Sequence, residues 1–205
     1  MNIRTKIFHY SLKAMFTVLS TVSSSPLALL RSRSPQTPLG PQADGITSVD
    51  LMIPPAPASL FPGITTLEEV PVRLFYPVVA PEGKIPIAVY IHGGGFALGS
   101  AKDDYCDTLA RKFAREGMIV VSVDYRVTLD APFPAAMDDS LAGVLWAHSA
   151  SHPFLKQHGD TSKLVVIGDS AGGFLTIVVS QAIVKGFWLI DSQSQPGLKP
   201  TKTLS

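Results

Sequence analysis

The 205-residue chain carries 17 lysines and arginines against 16 acids, a formal charge of +1, and 46% of it is hydrophobic. That length and composition suit one domain with a sizeable core, and a near-neutral balance with no basic stripe excludes a surface built to track nucleic acid. The lone cysteine, Cys106, excludes an internal disulfide and is expected as a small buried hydrophobe.

No run reaches the roughly 18 uninterrupted apolar residues that a membrane span needs. Residues 1–22 have two readings. Ile3, Ile7, Leu12, Met15, Phe16 and Leu19 fall near one face, which predicts an amphipathic helix. Arg4, Lys6 and Lys13 ahead of a short apolar run also resemble a signal segment. The run is short and no A-x-A-like cleavage site follows, so a cytoplasmic location is favoured over secretion. Residues 23–64 are rich in proline and serine and are expected to be a linker.

A core is expected over 65–190. Val72–Tyr76 alternates as a strand does, and Ile85–Ile91 is a short, partly β-branched run ending in glycines, as in a buried strand. Asp104–Glu116 predicts a helix stopped by Gly117. Met118–Val123 predicts a strand, Ala135–His148 a helix, Leu164–Ile167 a strand and Gly172–Val184 a helix packed on it. Residues 191–205 are a polar, proline-containing tail. Strands alternating with helices predict an α/β fold with a mostly parallel central sheet and crossover helices. Ligands of such sheets bind beyond the carboxyl ends of the strands.

Two glycine clusters lie at such strand ends. The first is His92-Gly93-Gly94-Gly95-Phe96, and the second is Gly168-Asp169-Ser170-Ala171-Gly172-Gly173. The second fits G-x-S-x-G. In that pattern a strand turns at once into a helix and lifts a serine hydroxyl above the sheet, and small flanking residues, Gly168 and Gly172, leave room for the turn. The Ala171 N–H falls at a helix start, where amides point outward unpaired and can hold a developing oxyanion. An H-G-G-G loop supplies further amide donors. A dinucleotide fingerprint starting at Gly93 fails, because Leu98 stands where its last glycine would be.

Together these motifs resemble the hormone-sensitive-lipase-like carboxylesterases and acetyl-hydrolases of the α/β-hydrolase fold. Asp124-Tyr125-Arg126-Val127 followed by Pro132-Phe133-Pro134-Ala135-Ala136 is similar to a third segment of that family, with Thr128-Leu129-Asp130 departing from its pattern. The resemblance implies hydrolysis of small carboxylic esters, with no cofactor and no metal, and a cap that residues 1–22 could help to build. It implies that Ser170 is the nucleophile, that Gly94, Gly95 and Ala171 donate to the oxyanion, and that His92 and Gly93 shape the loop. Asp169 then stands beside the nucleophile without belonging to a triad. Asp124 is expected to be a structural hydrogen-bonding group.

In this fold an acid and then a histidine follow the serine. Residues 171–205 contain one acid, Asp191, and no histidine. His148, His152 and His158 precede the strand leading to Ser170 and belong near its far end, roughly 17 Å away. The expectation is a hydrolase fold incomplete on its C-terminal side, lacking triad acid and base and weak or inactive as a catalyst. Its last strand would be an exposed sheet edge open to oligomerisation or aggregation. The alternative is a non-catalytic remnant that binds a hydrophobic ligand.

Overall fold

The computed structural model describes residues 36–61 and 67–186. The helix expected over 1–22 and the tail expected over 191–205 lie outside the described residues. Five strands form one sheet: β1 (Ile46–Ile53), β2 (Val70–Pro77), β3 (Ile85–Ile91), β4 (Ile119–Val123) and β5 (Gly159–Gly168). The helices are α1 (Asp104–Arg115), α2 (Ala135–Ser149), the short α3 (Pro153–His158) and α4 (Ala171–Val184). Among the described residues no helix is long and apolar enough to cross a membrane.

The strand order is β1-β2-β4-β3-β5. β3 pairs in parallel with both β4 and β5, while β2 pairs antiparallel with β1 and β4, so the sheet is mixed. Side chains alternate across a strand, and β3 shows what that does here. Ile87, Val89 and Ile91 enter one core with Leu141, Val144, Leu175 and Val179 from α2 and α4. Ala88 and Tyr90 enter a second core with Cys106, Ala110 and Ala114 from α1. Helices thus cover both faces, which is why β3 and β4 read as continuous apolar runs. Cys106 is 5% exposed, and burial pushes its thiol up to about 12.

β1 corrects the sequence reading, because it lies inside the 23–64 stretch expected to be a linker. Its alternation is masked by polar residues that are buried or bridged. Ser48 is fully buried and accepts from Arg111 Nη2 at 3.0 Å. Asp50 accepts from Arg73 Nε at 2.7 Å and Nη2 at 3.1 Å. Arg73 also reaches Asp107 at 3.1 Å, and Asp107 accepts from Arg111 at 2.6 Å. This buried ion cluster fastens β1 to β2 and α1.

β5 is longer than the expected Leu164–Ile167. Its register jumps from Pro86↔Asp160 to Ile87↔Leu164, so Thr161–Lys163 bulge out. Asp160 turns that bulge by accepting from Ser162 N at 3.1 Å. Polar bulge residues hide the strand from a reading based on apolar runs.

Candidate active site

The parallel register of β3 and β5 brings Ile91 opposite Gly168. The two glycine clusters therefore leave the sheet side by side, as expected of strand ends in a parallel sheet. Ser170 sits between β5 and α4 with φ 51° and ψ −115°, a conformation that an L-residue adopts only under strain. It is exposed and makes no side-chain cap bond to its own helix.

The flanking glycines have a steric cause. A Cβ on Gly172 would collide with the carbonyl oxygens of Ile91 and His92, so the first turn of α4 rests on the end of β3. A Cβ on Gly93 would collide with the Asp169 carboxylate. The His92–Phe96 loop and the serine turn are thus packed directly on one another.

Asp169 joins them. Its Oδ1 accepts from the Gly93 N–H at 3.0 Å and from the Tyr90 hydroxyl at 2.8 Å. Burial together with this carboxylate pushes the Tyr90 phenol well above its ordinary value, so it remains a donor. Tyr90 was not singled out from the sequence. Its one signal is a phenol in an otherwise aliphatic strand, and a buried hydroxyl needs a partner.

His92 is fully buried, and its ring stacks on Tyr125 with centroids 4.1 Å apart. Nδ1 lies 2.7 Å from the Gly93 carbonyl, which can only accept, so Nδ1 carries a proton. Nε2 has no partner among the described residues. Burial holds His92 below its ordinary pKa, and it stays neutral. The Tyr125 hydroxyl donates to the His92 carbonyl at 2.9 Å, clamping the start of the loop.

The loop closes on itself through Leu98 N donating to Gly94 O at 2.9 Å. Among the described residues no acceptor meets the N–H groups of Gly94, Gly95 and Ala171. Asp124 accepts from the Ala101 N–H at 3.0 Å. His152 caps α3 by accepting from Phe154 N at 3.2 Å, and His158 ends that helix. Seven paired positions of β5 then separate these two histidines from Gly168, roughly 20 Å at about 3.3 Å per residue. No histidine hydrogen-bonds Ser170 among the described residues.

Residues 88–200 match a family described as the alpha/beta hydrolase fold. The chain is 42% identical over 115 residues to the tuliposide A-converting enzyme b1 of Tulipa gesneriana, covering 52% of this chain and 31% of that protein. It is 41% identical over 120 residues to the carboxylesterase NlhH of Mycobacterium tuberculosis, covering 58% of this chain and 36% of that one. The chain thus spans about a third of the length of these relatives. Among solved structures, it is similar to a bacterial heroin esterase with TM-score 0.57 and 32% identity, over 70% of this chain and 41% of that one. It is also similar to an esterase of Pyrobaculum calidifontis with TM-score 0.54 and 32% identity, over 80% and 44%. A family match across more than half of the chain, and solved esterases that share its fold, lead to one conclusion: this chain belongs to the α/β-hydrolase fold family, with carboxylesterases among its relatives.

Proposed function

We propose that the protein is a serine ester hydrolase acting on small carboxylic esters through an acyl-enzyme. The observation that carries this reading is Ser170 itself, exposed and held at φ 51° in a turn that packs against the Gly93–Gly95 loop; among the described residues no acceptor meets the N–H groups of Gly94, Gly95 and Ala171. A strained, exposed serine between a strand and a helix is how this fold presents a nucleophile.

In the proposed step, Ser170 Oγ bonds to the ester carbonyl carbon and the C=O pair moves onto oxygen. The N–H groups of Gly94, Gly95 and Ala171 hold that oxyanion. The pair returns, the C–O bond to the alcohol breaks, and the departing alkoxide takes the proton that the serine gave up. Water repeats the addition and releases the acid. The serine proton needs a base, and residues 171–205 include no histidine. For these 205 residues we therefore expect slow turnover, on the order of the 10³–10⁴ over water that an oxyanion hole and binding supply alone.

The test is p-nitrophenyl butyrate hydrolysis and fluorophosphonate labelling by the 205-residue protein beside Ser170→Ala. Serine-dependent labelling with slow turnover is expected. Equal labelling of the two proteins would overturn the assignment of Ser170.

A further inference from the structure

β1 and β2 are antiparallel neighbours, yet residues 54–69 connect them, where a hairpin needs only about 2–5. A connection that long between adjacent strands is usually functional. Its first part is stiff, because Pro54, Pro55 and Pro57 fix their own φ. Its course is set by Asp138, in the first turn of α2 and 1% exposed. One oxygen of this carboxylate accepts from the Ser59 hydroxyl at 2.6 Å, and the other from the Leu60 N–H at 2.8 Å. Ser59 Oγ in turn accepts from the Phe61 N–H at 3.0 Å. A buried carboxylate requires such partners. These bonds latch the segment to α2 and fix where the next side chain, Phe61, is presented.

Phe61 meets Phe133, with ring centroids 4.8 Å apart and planes tilted by 56°. Phe133 lines an open cavity of about 280 Å³, together with Met137 of α2 and with Phe174 and Leu175 of α4. α4 starts directly after Ser170, so the cavity lies next to the serine turn. Met137 directly precedes Asp138, so the latch and the cavity share the first turn of α2. Phe133 is 51% exposed and Phe61 37%, so core packing fixes neither ring. Their mutual contact favours the closed arrangement by roughly 2- to 12-fold. We infer that Phe61 is a specificity-determining residue of the proposed esterase. Held by the Asp138 latch, it braces Phe133 as the outer wall of the cavity and limits the bulk of the ester's hydrocarbon part beside Ser170. This rests on the serine ester hydrolase reading above. The brace acts on girth alone and makes no choice between the acyl and the alcohol half. Without the Phe61 ring, Phe133 turns outward and the cavity widens. Without the Ser59 hydroxyl, the latch loosens and the wall yields in the same direction.

The experiment follows the Met137 methyl by NMR in the full chain, labelled at its methionine methyls, during titration with benzyl alcohol and with 4-tert-butylbenzyl alcohol. Fluorophosphonate labelling of Ser170 is recorded on the same samples. The readout is the ratio of the two dissociation constants. Phe61→Ala is expected to shift that ratio about three- to tenfold toward the bulkier alcohol. Phe61→Tyr keeps the ring, sits at an exposed rim and is expected to keep the original ratio. Ser59→Ala is expected to shift the ratio in the same direction as Phe61→Ala, by less; it stands in for Asp138, whose burial makes its own removal a test of folding. An unchanged ratio in Phe61→Ala overturns the inference, as does a ratio that Phe61→Tyr moves equally far. Weaker binding of both alcohols by one common factor also overturns it, since that is the mark of a merely structural residue. A Met137 methyl that neither alcohol moves overturns the cavity as the binding place. A shifted ratio with Ser170 unlabelled upholds the brace and overturns the ester reading, and with it the identification of the occupant as part of an ester.

Discussion

The serine turn depends on side chains that never touch a substrate. Asp169 holds Gly93 and is itself held by Tyr90, so the phenol fixes the distance between the two loops. Tyr90→Phe removes one donor to a half-buried carboxylate, which costs about 1.5 kcal/mol for a charge-assisted bond. Fluorophosphonate labelling of Ser170 is expected to slow about tenfold or more, with far-ultraviolet circular dichroism unchanged. Restoring a donor at Tyr90 has no conservative route, so Asp169→Asn serves as the second variant and should slow labelling likewise. His92 leads to a pH dependence. Its pKa in the fold lies below the ordinary 6.5, chiefly through burial, so the unfolded chain takes up the proton first. The contribution of His92 to stability is then complete above about pH 6.5 and is lost as pH falls toward the lower value in the fold, by at most about 1.4 kcal/mol per pH unit for one proton. Urea midpoints measured from pH 7.5 to 5.5 should fall, and less steeply in His92→Asn. The remaining slope includes His152, which burial also lowers.

At the scale of elements, the strands that position the site were legible where burial on both faces makes an unbroken apolar run. β3 spans Ile85–Ile91 as expected, and α1 ends beside Gly117, whose φ is +85°. The glycines around Ser170 were legible because backbone contact leaves no room for a side chain. The Tyr90–Asp169 bond was not, since it joins positions 79 apart in the chain and neither residue type announces the other. β1 was hidden for a different reason: its polar residues are answered by Arg73 and Arg111, which lie on other elements. Arg73 is only 3% exposed, and its loss leaves Asp107, 1% exposed, with Arg111 alone. Removing one partner of a buried ion cluster typically costs about 3–5 kcal/mol. Arg73→Met is expected to lower the unfolding free energy by roughly 3 kcal/mol, seen as a lower urea midpoint at unchanged Ser170 geometry.

Across the whole molecule the sheet is unevenly supported. β4 is buried throughout and has neighbours on both sides, whereas β5 pairs only with β3 among the described strands. Val165 on β5 is 44% exposed, and Phe174 and Ile177 on α4 are 50% and 58% exposed. Strand amides with one neighbour open at lower free energy than those in the centre of a sheet. Hydrogen exchange is therefore expected to reach Val165–Gly168 before Val120–Val123; the reverse order would mean that β5 is covered in solution.

The strained backbone at Ser170 has a consequence for how this chain can change over time. Glycine adopts φ 51° without the cost borne by serine, which for a strained residue is on the order of 1–3 kcal/mol. Selection for a stable fold alone would thus push position 170 toward glycine, and the proposed use of the hydroxyl would oppose that drift. Position 170 is thus a place where stability and the proposed chemistry pull in opposite directions.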